Sequence, residues 1–211
     1  EISKNYDFIY TTAGISPNDI PQNGDELWKK LKEIEDLVDK NSKKIVAIGE
    51  IGLDYYWNKE NKELQKKAFI EQIEIANKCD LPIVIHTREA VMDTLQILKD
   101  NNVLKKGVFH CCPQNRELIK EALKLGFYIS FAGPITFKNS KNAEEMINLV
   151  PNDKLLIETD SPYLSPEPYR GKRNTPANVR FVAQKVADAK GLTIDEVANI
   201  TYNNTIKFFS I

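Results

Sequence analysis

Short apolar runs rich in β-branched and aromatic residues recur along the chain, and each is followed by a longer stretch with apolar residues at helical spacing. The runs are FIYTTAG (8–14), IVAIGE (45–50), PIVIH (82–86), GVFH (107–110), FYISFAG (127–133) and LLIETD (155–160). They predict six strands, and they are continuous rather than alternating, as parallel strands covered on both faces require. The stretches between and after them predict helices over roughly 25–40, 61–79, 89–101, 115–125, 141–149, 176–190 and 194–208. In the second of these, Leu64, Ala68, Phe69, Ile73, Ile75 and Cys79 form the apolar stripe. Lys62, Lys66, Lys67 and Glu71 supply its wet face. Asp25, Thr175 with Pro176, and Thr193 are expected helix starts. The βαβα order, with connections too long for hairpins, gives an α/β fold built on a parallel sheet.

Length narrows this picture to one domain spanning 1–211, close to the roughly 250 residues of a (β/α) barrel. The net charge of −1 provides no broad basic field, so any contact with nucleic acid has to be local. No apolar run approaches the roughly 18 residues of a membrane span, and EISKNYDFIY has neither the charged nor the apolar region of a secretory leader. A cytoplasmic protein without membrane association is expected. Cys79, Cys111 and Cys112 match neither a disulfide framework nor a paired zinc motif, which predicts reduced thiols that serve packing.

Both histidines of the chain end expected strands, His86 after PIVI and His110 after GVF. Glu50 ends IVAIG and Asp160 ends LLIET in the same way. Taken singly, each could be a hydrogen-bonded core or capping residue. Four metal-capable side chains at the carboxyl edge of one parallel array point instead to a metal site, because parallel barrels place their chemistry at that edge. Two imidazoles and two carboxylates suit zinc, manganese or a similar divalent ion, with magnesium also compatible. The implied chemistry is metal-assisted hydrolysis, with Asp160 as the general base. The segment SPYLSPEPYRGKRNTP (161–176) reads as a long loop whose Arg170, Lys172, Arg173 and Asn174 can reach a phosphate, as can Arg88. Gly49 and Gly52 flank Glu50, but GEIG lacks the third glycine and the following helix of a dinucleotide fingerprint.

The motifs AIGEIGLDYYW (47–57), LPIVIHTREA (81–90), GVFHCC (107–112), YISFAG (128–133), LLIETDSPYL (155–164) and RGKRNTPANV (170–179) resemble those of the TatD family of metal-dependent deoxyribonucleases, within the amidohydrolase-like barrels. The resemblance covers essentially the whole chain. It implies a TIM-type barrel represented here by strands three to eight, hence incomplete, and two divalent ions. Glu50 matches the carboxylate that bridges them, His86 and His110 match ligands of one ion, and Asp160 matches the ligand and base near the other. Arg173 and Asn174 match a substrate-contacting loop. The family's His-x-His pair has no counterpart, Ser16 stands where the family usually has histidine, and Cys112, Pro113 and Gln114 replace the usual FSG.

The resemblance therefore implies cleavage of phosphodiester bonds in DNA, with Glu50 and Asp160 catalytic and Arg88, Arg173 and Asn174 on substrate. Without the His-x-His pair, one ion is expected to bind well and the second weakly. The open barrel edge near FIYTTAG is expected to be covered by a further segment or by self-association. Two alternatives share the same residues: a metal-dependent hydrolase of a small ester, amide or phosphoester, and a catalytically impaired fragment.

Overall fold

In the computed structural model, which describes residues 2–40 and 43–211, the apolar runs form strands and the amphipathic stretches form helices. The order is α1 (Ile2–Asn5), β1 (Thr11–Ala13), α2 (Gly24–Lys40), β2 (Ile45–Asp54), α3 (Lys62–Lys78), β3 (Ile83–Arg88), α4 (Val91–Asp100), β4 (Gly107–Phe109), α5 (Arg116–Lys124), β5 (Tyr128–Phe131), α6 (Ala143–Leu149), β6 (Leu155–Ile157), α7 (Val179–Lys190) and α8 (Ile194–Phe209). Single 3-10 turns cover Gly133–Thr136, Asn152–Lys154 and Pro176–Asn178. Pro176 therefore opens a 3-10 turn rather than α7 itself. The pattern of the sequence does not announce α1. Contacts divide the chain into two compact units, Glu1–Val108 with Phe209–Ile211, and Phe109–Phe208.

In the first unit β1 pairs with β2 and β2 with β3, all parallel. β2 is buried along almost its whole length, whereas β3 alternates between buried and more open positions. Glu50 is not the last residue of β2, which continues to Asp54, and β3 continues past His86 to Arg88. The pairing of β2 with β3 slips between Ile48 and Ile51, and it resumes with Ile51 opposite Ile85 and Gly52 opposite His86. Close approach of the two backbones explains the glycines around Glu50. A Cβ on Gly52 would lie 2.0 Å from the His86 carbonyl oxygen, and its φ of +137° is foreign to other residues. A Cβ on Gly49 would lie 2.6 Å from that of Val84.

Helix α3 buries Ala68, Phe69 and Ile73 of its expected stripe, but its inward face is shifted to take in Gln65, Gln72 and Ala76 as well. Its buried residues are Gln65, Ala68, Phe69, Gln72, Ile73 and Ala76. Leu64 and Ile75 lie at the side, packed with Ile34 of α2 against a cluster of Ile15, Ile20, Leu27, Leu31 and Ala68. Gln72 accepts from the Ile15 N–H at 2.6 Å and donates to the Ile15 carbonyl at 3.2 Å, satisfying the backbone just after β1. Gln65 does the same for Asp54, accepting from its N–H at 2.8 Å and donating to its carbonyl at 3.1 Å. The start of α2 is capped by Asn23, whose Oδ1 accepts the Asp25 N–H at 2.9 Å. Asp25 thus belongs to the first turn, where its charge suits the helix dipole.

In the second unit β5 and β6 are parallel, and the pairing carries on past β6 through the Glu158 N–H to the Phe131 carbonyl at 2.9 Å. The Cys112 N–H reaches the Ser130 carbonyl of β5, also at 2.9 Å. Asn115 caps α5, and Gly191 ends α7 in the left-handed region. Thr193 and Glu196 cap α8 reciprocally, each side chain bonding the other's backbone N–H. Asn204 of α8 donates to the carbonyls of Asn152 and Leu155, fixing the entry to β6.

The glycine geometry separates two substitutions. Gly52→Ala is expected to lower the unfolding free energy by about 3 kcal/mol or more, through backbone strain and a clash that no rotamer relieves. Gly24→Ala, with nothing within 4 Å of its new Cβ, should change it by less than about 0.5 kcal/mol. Urea denaturation of both variants checks the contrast.

Candidate functional site

The central residue of the first unit is one that the sequence pattern does not single out. Asp54, the last residue of β2, is fully buried, and its Oδ2 lies 2.9 Å from His86 Nε2. Its Oδ1 accepts the N–H groups of Tyr56 at 2.9 Å and Trp57 at 3.0 Å. Asn18 approaches Oδ2 at 3.4 Å. Burial by itself would push this carboxyl up. The hydrogen bonds from Trp57, His86 and Asn18 outweigh it and hold Asp54 below the ordinary aspartate range. His86 Nε2 is thereby engaged with a carboxylate, and Nδ1 is the nitrogen that faces Glu50, 3.6 Å from its Oε1. Ser16, following β1, donates its hydroxyl to the same Glu50 oxygen at 3.0 Å. The Ser16 hydroxyl thus orients a carboxylate.

The second unit repeats this arrangement with different residues. His110 directly follows β4, and its Nδ1 lies 2.7 Å from Glu158 Oε1. That oxygen also accepts the Cys111 N–H at 3.0 Å, and Glu158 Oε2 accepts the Ser130 hydroxyl at 2.5 Å. His110 Nε2 is then the nitrogen suited to a ligand role. Asp160 stands three residues beyond the end of β6, with φ at 56°. Cys112 is buried, and burial followed by the nearby Glu158 pushes its thiol up, so it packs as a protonated side chain.

Asp54 and Glu158, the carboxylates that hold the two imidazoles, are therefore what pattern reading misses. A signal for them exists. An imidazole that gives one nitrogen to an ion needs an acceptor for the other. Glu158 lies two positions before Asp160 in ETD, and Asp54 lies four after Glu50 on the same strand.

The cationic residues take different positions. Arg88 is exposed at the end of β3, with its guanidinium carbon 3.9 Å from the Tyr56 ring centroid and 5.4 Å from that of Trp57. Arg173 is exposed, and Arg170 lies over Phe137 while donating to Asn139 at 3.1 Å. Asn174 is buried within its loop. Its Nδ2 donates to the carbonyls of Thr159 and Tyr163, both at 2.7 Å. Its Oδ1 accepts from the Thr175 N–H and from Asn178, both at 2.9 Å. This side chain holds the loop together, while Arg173 beside it is exposed. Asn174→Ala should cost about 1–3 kcal/mol in urea denaturation and speed chymotrypsin cleavage at Tyr163 or Tyr169. Arg173→Ala should do neither.

The TatD related DNase family matches the chain over residues 1–210. The uncharacterized metal-dependent hydrolase YabD of Bacillus subtilis is 43% identical over all of this chain and 81% of its own. YcfH of Escherichia coli, also named an uncharacterized metal-dependent hydrolase, is 46% identical over 79% of this chain and 63% of its own. The crystal structure of YjjV, a TatD homolog from Escherichia coli, superposes with a TM-score of 0.92 at 27% identity, covering 100% of this chain and 80% of that one. The fold is thus the TIM-barrel type, represented here by six parallel strands alternating with helices, and the chemistry that goes with these relatives is metal-dependent hydrolysis. On the family's match across its length, the chain belongs to the TatD related DNase family.

Proposed function

We propose that the chain, acting over 1–211 as one catalytic domain, is a divalent-metal-dependent hydrolase of phosphodiester bonds in DNA. The observation that carries this reading is the bracing of both imidazoles by carboxylates, His86 by Asp54 and His110 by Glu158. Such bracing fixes the tautomer and raises the basicity of the opposite nitrogen, which is what a metal-ligating histidine needs. Glu50, His86 and His110 each offer one ligand atom, a mixed nitrogen and oxygen set that fits zinc, manganese or magnesium. His86 would bind through Nδ1 and His110 through Nε2, with Ser16 orienting the carboxylate of Glu50. A bound divalent cation lowers the pKa of a coordinated water and polarises the phosphoryl oxygen.

Asp160 would act as general base toward the attacking water, and with Glu50 would offer carboxylate oxygens to a second divalent ion. Arg88 and Arg173 are exposed cations suited to the phosphate oxygens. DNA as substrate is supported by the family's name and by these arginines, and the net charge of −1 confines its recognition to such local contacts. None of the helices among the described residues is long and apolar enough to cross a membrane. Cysteines whose spacing matches no disulfide framework suit a reducing cytoplasm, where we place the activity.

The test is hydrolysis of an end-labelled oligonucleotide with manganese or magnesium, measured together with metal content. Glu50→Gln should lose both together, and a variant retaining its metal and its rate would remove Glu50 from the site. Asp54→Asn should lose about 10–100-fold in metal affinity or rate while its folding is retained. Raising salt from about 50 to about 200 mM should weaken oligonucleotide binding about 5–10-fold if two phosphates are held. A KM indifferent to salt would favour the small ester or phosphoester instead.

A further inference from the structure

Tyr56 and Trp57 leave Asp54 with their rings in solvent, 43% and 68% exposed. The rings meet edge to face with centroids 4.8 Å apart, so the Trp57 indole keeps most of its surface open. Arg88 stacks on Tyr56, and a guanidinium stacked on a ring keeps its N–H edge available for an anion. Exposed loop aromatics ordinarily move with a loose backbone, but the backbone that carries these is anchored. The buried carboxylate that accepts both of their N–H groups is the one bonded to His86. Arg88 lies two residues beyond His86 on the same strand.

Resting on the phosphodiesterase reading, we propose that Trp57, Tyr56 and Arg88 form a nucleobase-stacking subsite for an unpaired strand beside the reacting phosphate. A base stacks on the indole and Arg88 takes an adjoining phosphate. In a duplex both faces of every internal base are already covered by its neighbours, so an unpaired or frayed strand presents far more stacking surface. Stacking also supplies affinity that a chain of net charge −1 does not obtain from a general basic field. The selectivity expected is for single strands and strand ends, with little dependence on which base is presented.

The probe is a ten-residue oligothymidylate titrated in the presence of EDTA against the Trp28→Phe protein, in which Trp57 is the remaining tryptophan. Saturable quenching is expected. Trp57→Ala should weaken binding of this oligonucleotide about tenfold or more, and Trp57→Phe by less, since a smaller ring still stacks. Binding of a blunt duplex should be weaker in the parent protein and barely altered by Trp57→Ala. Circular dichroism confirms folding of each variant. Unchanged affinity in folded Trp57→Ala, or cleavage of the strand without quenching, overturns the subsite and leaves the hydrolase reading standing. Quenching and loss of affinity in Trp57→Ala, with no cleavage when manganese or magnesium is added, keeps the subsite and overturns the reaction.

Discussion

A carboxylate buried away from water has to find its hydrogen bonds within the protein, because an unpaired charge in that setting is prohibitively costly. Asp54 meets the requirement by binding His86, two consecutive backbone amides and Asn18. Much of the first unit follows from that. β2 must run on to deliver the aspartate, and it can do so because Gly49 and Gly52 let its backbone close on β3. Gln65 of α3 then holds the backbone of Asp54 on both its polar groups, so a helix on the flank of the sheet helps to set the ring of His86.

The second unit solves the same problem with glutamate. Glu158 spreads its two oxygens over His110, the Cys111 amide and the Ser130 hydroxyl. The two imidazoles use opposite nitrogens for their braces, Nε2 in His86 and Nδ1 in His110. What they share is that each ring commits one nitrogen to a buried or half-buried carboxylate, which under the proposed function leaves the other to serve the metal. Membership of a hydrolase family agrees with that chemistry, and the Ser16 hydroxyl steadies Glu50.

The six strands were legible because parallel strands need unbroken apolar runs, and the helices because their polar faces recur at helical spacing. The ends were less so. Glycine and an acidic residue in GEIG look like the close of a strand, whereas the glycines are there to let the strand continue. The inward face of α3 was partly hidden because two of its buried residues, Gln65 and Gln72, are polar and are buried for hydrogen bonding rather than for hydrophobicity. Asp54 and Glu158 escaped for a related reason. An acid that braces a histidine has the same composition as one that faces solvent, and only side-chain geometry separates them. Asn174 shows the converse, a polar residue in a basic loop whose amide is spent on that loop.

The link from Asp54 to positions 56 and 57 runs through backbone amides, and every residue except proline carries one. The rings displayed there can therefore be exchanged without loosening the acid that holds His86. Positions 56 and 57 are mechanically joined to His86 yet genetically separable from it, which leaves descendants of this chain free to try new surfaces over an unaltered imidazole.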